Sequence, residues 1–461
     1  MAEQFTISTV DVDLPMLGKQ RLQFAKATDE ASRSTILVGR NGTGKSTILR
    51  ELAMAFRSYF ASRTLKSRQG LGRVSHIGIV SDGVAADLHV GSDSKSFRVE
   101  RDSLRAEGRG PTKLIALSFT PFDKFPPSDD TRSPYRADIK EPFYVYLGFK
   151  NDFRASPRAR LLRSIDQLAF AQSSPQSDHR VVEAFDAIGY LPIIEITYTF
   201  DPYRLGSARR HIDEPRLKKL SDEIATRARE SDNGRRHEII YLIDFRYGRR
   251  DSSIPIDYEE VRELMGANIL RLTSVTMLNR DGGRVEMLEL SSGELNLLSG
   301  FLGLSAFLED GCLILIDEPE NSLHPEWQLR YTEMLDAVLK RHRGCHYIIA
   351  THSPLVVSGA SNGNTKVLRL DQQPIELAPE TVAKESPDAT LINAFRLVTP
   401  GNNFLKQLTL EALMLIDTGK HRTQRARQIA STLASAYEQL KADDRLRDLI
   451  VGIVTTIAGP R

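Results

Sequence analysis

The chain has 461 residues, with 62 Lys plus Arg against 60 Asp plus Glu for a net charge of +2, and 41% hydrophobic residues. This is a globular composition too long for one ordinary core, so two domains or one large domain with insertions is expected, and the balanced charge neither indicates nor excludes nucleic acid. No stretch reaches the roughly 18 apolar residues of a membrane span and the first residues lack a secretory signal, so the expectation is a cytoplasmic protein with no membrane partner.

In chain order, residues 5–24 predict two short strands with Asp11 to Pro15 as the break, followed by the polar turn Ala27-Thr28-Asp29-Glu30. The apolar run Thr35-Ile36-Leu37-Val38 enters Gly39-Arg40-Asn41-Gly42-Thr43-Gly44-Lys45-Ser46, and a helix follows to about Ala61. A strand turning sharply into a helix leaves backbone N–H groups without partners and aims the positive end of the helix dipole at one point, which suits an anion. The glycines let backbone approach the phosphates, Lys45 reaches the β- and γ-phosphates, and the Ser46 hydroxyl can ligate magnesium. Asn41 and Thr47 complete this nucleotide-binding set.

Strand-like pieces at 77–80, 87–90 and 96–99 fit an antiparallel layer beside the main sheet, and 113–119 is a more buried strand. From 152 to about 236 the apolar spacing is more helical: Leu161, Leu162, Ile165 and Leu168, then Val181, Val182, Phe185 and Ile188. A strand candidate at 193–200 interrupts it. The arginines there (Arg154, Arg158, Arg160, Arg163, then Arg209, Arg210, Arg235 and Arg236, with Lys218 and Lys219) read first as a solvated helical face and second as a partner or nucleic-acid surface. Val275 to Leu278 and Arg284 to Leu288 flank Asn279-Arg280-Asp281-Gly282-Gly283, a hairpin signal. Leu290-Ser291-Ser292-Gly293-Glu294 comes next, with a helix expected over 295–308. Cys312 and Cys345, at or just before the apolar strands 312–316 and 347–350, read as buried thiols. These strands end in Asp317-Glu318 and Thr351-His352-Ser353-Pro354, and sites outside the carboxyl ends of parallel strands are the rule for open α/β sheets. Helices are expected over 405–417, 423–442 and 446–457.

Asp317, closing its strand, can hold magnesium through water, Glu318 can orient and deprotonate the attacking water, and His352 can hydrogen-bond the γ-phosphate. Together with Gly39 to Ser46, Leu290 to Glu294 and the run Ile316 to Pro325, these residues resemble the Walker A, signature, Walker B with D-loop, and switch-histidine motifs of ABC-type ATPases, in the soluble branch that contains SMC, RecF and overcoming-lysogenization proteins. The resemblance implies an α/β fold, an ABC-type P-loop head in two lobes, with ATP and Mg2+ as ligands. Lobe I with Walker A is expected over 1–150, an inserted α-rich lobe over 151–236, lobe II over 237–375, and a helical C-terminal region over 376–461. It also implies a homodimer or higher homo-oligomer in which Ser291 and Gly293 of one copy complete the ATP site of another. Where the family has its Q-loop glutamine this chain has Thr120-Pro121-Phe122-Asp123, which points to a rewired loop or to Ser118 or Asp123 in its place.

The tail shows no acidic cluster like that of an appended Toprim nuclease, and the architecture is similar to the stand-alone ATPase subunits of the Septu and PARIS anti-phage systems. That resemblance implies a regulator of a separately encoded effector nuclease, triggered by a phage protein or DNA; in the tail itself, Lys420, His421, Arg422, Arg425 and Arg427 read as a docking edge or simply a solvated one. The alternative is a RecF- or SMC-like repair or chromosome-maintenance ATPase that binds DNA directly.

Overall fold

The computed structural model of the protein describes residues 4–24, 32–61, 65–66, 72–93, 96–99, 110–120, 123–127, 143–148, 182, 185–186, 188–201, 215–216, 218–220, 222–223, 238–247, 249–252, 256, 260–261, 264–265, 269–340, 342–360, 365–370, 375–377, 386–395, 397–399, 402–437, 439–440, 444 and 446–458.

The chain opens with β1 (Phe5–Leu14) and β2 (Gly18–Gln23). In β1 the buried Val10, Val12 and Leu14 alternate with the half-buried Asp11 and Asp13. The acidic residues expected to break the strand are therefore its outward face, and the turn falls at Pro15 to Leu17. β3 (Arg33–Val38) is buried throughout and leads into α1 (Lys45–Ala61), which ends where its pattern predicts. β4 (Leu65–Lys66), β5 (Val74–Ser81), β6 (Val84–Asp93) and β7 (Ser96–Val99) precede β8 (Leu114–Ser118) and β9 (Tyr144–Leu147). Next come β10 (Tyr190–Phe200), β11 (Glu238–Asp244), β12 (Arg249–Ser252), β13 (Leu270–Asn279) and β14 (Arg284–Glu286). The β13–β14 hairpin turns where predicted, with the Asn279 side chain accepting from the Gly283 N–H.

After a 3-10 turn at Met287–Glu289 comes α2 (Ser292–Phe307), which begins earlier than expected because Ser291 caps it and Glu294 returns the bond, a capping box. β15 (Leu313–Asp317), α3 (Pro325–Leu339), β16 (His346–Thr351), α4 (Pro354–Ser358), β17 (Thr365–Arg369) and β18 (Ile375–Leu377) follow, then α5 (Pro387–Asn393), α6 (Asn403–Asp417), α7 (Gln424–Tyr437) and α8 (Leu446–Ala458). α7 stops short of the predicted Ala442.

The central sheet has the order β18-β17-β3-β16-β15-β8-β9, parallel except for β18. Its apolar strands are buried on both faces, which is why they read as continuous runs. Ile314 and Ile316 of β15 join a core with α2 and the β10 sheet, whereas Leu313 and Leu315 join a core with α1 and the β1 sheet. Each such side chain contributes roughly 1.5–3 kcal/mol on burial. The layer on the α1 side is the expected antiparallel one, β2-β1-β5-β6-β7-β4. The opposite layer is a second antiparallel sheet, β12-β11-β10-β13-β14, whose central β10 alternates strictly between buried and half-buried residues. β10, read as an interruption of the insert's helices, thus pairs with strands from beyond residue 237.

α5 to α8 enclose a separate core built on Leu405, Leu408, Ile429, Leu433 and Ile453. Val182 and Phe185 are helical and Ile188 lies in a turn. The helix at Leu161 to Leu168, Val181, the 27–30 turn and the insert's arginines lie outside the described residues. Cys312 and Cys345 are buried and unbridged, as expected. Among the described residues no helix is long and apolar enough to cross a membrane.

Candidate active site

The neighbours β3, β16 and β15 lie parallel, so the Gly39–Ser46 loop, the Thr351-His352 turn and Asp317-Glu318 emerge side by side at the carboxyl edge of the sheet. Between them opens a cleft of about 610 Å³. Of the residues predicted from sequence, Asn41, Gly42, Gly44, Lys45, Ser46, Thr47, Asp317, Glu318 and His352 line it. Gly39 stands behind the loop, its carbonyl accepting from Lys45 Nζ at 2.8 Å. Gly44 has φ +100°, and a Cβ there would meet Leu14 at 2.8 Å, so the turn that seats the loop against β1 requires glycine.

Lys45 also donates to His352 Nδ1 at 3.3 Å. An ammonium has no acceptor, so that ring nitrogen is the unprotonated one and Nε2 carries the hydrogen, 3.7 Å from Glu318 Oε1. Burial brings the Lys45 ammonium down to about 8 against the pull of Glu318, Glu320 and Asp317, and burial with the Lys45 charge lowers His352 as well. Burial pushes the Asp317 carboxyl up to about 7, opposed by a hydrogen bond from Ser46. Asp317 Oδ1 is buried without a hydrogen-bond partner. A hydroxyl and a carboxylate in contact, with one oxygen left over, are what a magnesium ion would complete, so the residues present fit that metal.

Glu318 sits at φ +49°, a left-handed conformation that costs a non-glycine residue of order 1 kcal/mol. It is held there by its own N–H on the Ala350 carbonyl and by Asn321 Nδ2 on Oε2 at 3.0 Å. Two residues on, Glu320 accepts from the Thr351 hydroxyl at 2.8 Å and the His352 N–H at 2.5 Å, fixing the histidine turn, and burial raises its carboxyl. Gln328, on the first turns of α3, ties Ser353 to the same network at 2.7 Å.

Ser291 and Gly293, the predicted signature residues, do not line this cleft. The Ser291 hydroxyl and N–H both bond Glu294 Oε2, at 2.7 and 2.9 Å, and Tyr190 from β10 donates to Oε1 of the same carboxylate at 3.2 Å. Gly293 faces the carbonyl of Ser322, which an added Cβ would meet at 2.4 Å. The predicted signature residue Gly293 and the turn at Ser322 therefore touch within one copy.

Of the two alternatives for the loop after β8, a rewired loop or Ser118 or Asp123 in the glutamine's place, the second is corrected. Ser118 is fully buried and accepts from the Thr120 N–H, while buried Asp123 holds Phe125 N–H and the Tyr146 hydroxyl. Neither lines the cleft; Thr120 and Lys124 do. Leu14, Pro15, Arg50 and Arg73 also line it and were not foreseen. Arg50 lies one helical turn beyond Ser46 and Thr47 and could have been found from that spacing. Nothing local marks Leu14, Pro15 or Arg73, which arrive through sheet packing.

The family model described as "AAA domain, putative AbiEii toxin, Type IV TA system" matches residues 34–358, from β3 through α4. Protein ea59 of Escherichia phage lambda is 24% identical over 69% of this chain, which spans 45% of that protein. The Retron Ec83 probable ATPase of Escherichia coli is 22% identical over 88% of this chain and 79% of its own length. Among solved structures, the Smc head domain of Pyrococcus furiosus bound to the C-terminal domain of ScpA is similar at TM-score 0.38 and 13% identity, over 82% of this chain and 97% of that one. The cbiO1 subunit of the cbiONQ ABC transporter complex from Clostridium perfringens is similar at TM-score 0.30 and 12% identity, over 82% and 90%. Because the family match spans more than half of the chain and takes in the phosphate loop, the β15 carboxylates and the β16 histidine, this chain belongs to that AAA-domain family.

Proposed function

We propose that the chain binds and hydrolyses ATP at sites shared between two copies, and that the cycle senses infection and restrains or releases a separately encoded nuclease in anti-phage defence. The observation that carries the composite site is the split between the cleft, with its phosphate loop, carboxylates and histidine, and the signature Ser291 and Gly293 outside it. A second copy facing the cleft would present its Ser291 hydroxyl and the N–H groups opening α2 to the γ-phosphate, supplying charge stabilisation that one copy lacks.

Within the cleft, Lys45 balances the β- and γ-phosphates. Glu318, fixed by Asn321, orients a water and takes its proton as that oxygen bonds to the γ-phosphorus and the bond to ADP breaks. His352, neutral and anchored by Glu320, turns its Nε2–H toward the same phosphate. Ser46 and Asp317 would hold magnesium, which supplies charge neutralisation across the β- and γ-phosphates when bound.

The defence role draws on the names of its relatives, a retron ATPase and a family described by a TA system, and acts in the cytoplasm with a phage protein or DNA as trigger. The test is co-expression with the neighbouring gene, together with purified protein. Lys45→Ala should abolish ATP binding, whereas Glu318→Gln should retain ATP and turn over about 10²–10⁴-fold more slowly. The isolated chain should leave plasmid, single-stranded DNA and RNA intact, and toxicity of the complex should require Lys45. Cleavage by the isolated chain that survives both substitutions contradicts the effector-in-trans reading.

A further inference from the structure

The segment after β8 carries a positive charge into the cleft. Lys124 is exposed, lines the cleft and donates from Nζ to the Thr47 hydroxyl at 3.1 Å, on the first turn of α1. Its backbone is pinned on both sides: Asp123 is buried and bonded to Tyr146 at 2.5 Å, Phe125 is 2% exposed, and the Tyr144 hydroxyl donates to the Pro126 carbonyl at 2.6 Å. The side chain is therefore delivered to Thr47 by a fixed strap anchored on β9.

That placement brings a second ammonium to the end of the helix that already carries positive charge. The first turn of α1 has no acidic residue, its N-terminus carries the positive end of the helix dipole, and Lys45 is already there. Among the described residues no carboxylate pairs with Lys124, whose one bond is to a neutral hydroxyl. The other cations along the cleft are tied down, Arg50 by Glu51 and Arg73 by the Asp13 carbonyl. An ammonium held over a helix N-terminus with no carboxylate bonded to it is stabilised once an anion sits between it and the helix.

We infer that Lys124 is a second phosphate-binding cation of the cleft, contacting the phosphate chain of the nucleotide from the Thr47 side while Lys45 contacts it from the loop side. The inference rests on the nucleotide-cleft reading above. It assigns a charged contact to the segment where the family resemblance predicts a neutral glutamine.

The test compares full-length wild type with Lys124→Gln, Lys124→Ala and Lys124→Arg, titrated with ATP in the presence of magnesium, the metal the cleft residues fit, with melting temperature followed without nucleotide. Glutamine can still bond Thr47 and so separates a neutral latch from a phosphate contact. Lys124→Gln and Lys124→Ala should each weaken ATP binding about tenfold or more with unchanged melting, and Lys124→Arg should stay within about threefold of wild type. ATP binding that is lost in Lys45→Ala but unchanged in Lys124→Gln overturns this inference alone. No ATP binding by the wild type overturns the nucleotide-site reading and this inference with it.

Discussion

Acid should loosen this fold through a histidine far from the chemistry. His346 opens β16 at 0% exposure, its Nδ1 accepting the Ile7 N–H of β1 at 3.1 Å and its Nε2 lying 2.9 Å from the Thr35 hydroxyl of β3. A backbone N–H can only donate, so Nδ1 is unprotonated and Nε2–H is the donor to Thr35. Protonating the ring would break a bond that ties β1 to the central sheet, and burial, reinforced by Arg33, holds its pKa down at about 3. The unfolded chain takes up that proton near pH 6.5, so between 6.5 and 3 the unfolded state binds more protons and stability falls as pH falls. At up to about 1.4 kcal/mol per pH unit, lowering the solution pH from 6.5 to 4.5 removes about 2 kcal/mol through this one ring. Urea unfolding of wild type and His346→Gln at both pH values isolates the effect, because the double difference cancels the groups they share. The variant should be less stable at pH 6.5 and should lose about 2 kcal/mol less than wild type on acidification. Equal losses in the two proteins would refute the assignment of a neutral, buried ring.

Two further substitutions test the network around the cleft. Gly293→Ala puts a Cβ against the Ser322 carbonyl, so it should destabilise thermal unfolding by about 1–3 kcal/mol and depress hydrolysis through the adjoining Glu318–Asn321 turn; an unchanged melting curve would refute that contact. Glu320→Ala removes the acceptors for Thr351 and His352, and steady-state kinetics should show turnover falling about 10- to 100-fold with KM for ATP little changed, whereas a loss confined to KM would contradict a positioning role.

Legibility in the sequence followed the range of the interactions concerned. The phosphate loop, Asp317-Glu318 and His352 could be read because each is a short run at the end of an apolar strand, and the parallel sheet then brings those ends together. β10 is legible as a strand candidate over 193–200, but not its central place between β11 and β13, since strand partners from residue 238 onward leave no mark on residues 190–200. Asp11 and Asp13 read as a break because polar residues on the outward face of a strand resemble a turn in sequence. Asp123 was offered as a glutamine substitute because of its position, yet the Tyr146 hydroxyl draws it into the core and leaves Lys124 to face the cleft. Glu320 escaped notice because its role depends on a turn that follows a different strand.

The central claim, a site assembled from two copies, is tested most directly by mixing two inactive variants. Lys45→Ala removes the loop's ammonium, and Ser291→Arg blocks the exposed N-cap of α2 without the clash that any side chain at Gly293 creates within its own copy. Each variant alone should hydrolyse almost no ATP. In a random equimolar mixture half the dimers are mixed and each of those has one intact site, so turnover should recover to about a quarter of wild type. A mixture as inactive as its components, or full turnover by Ser291→Arg alone, would contradict the shared site.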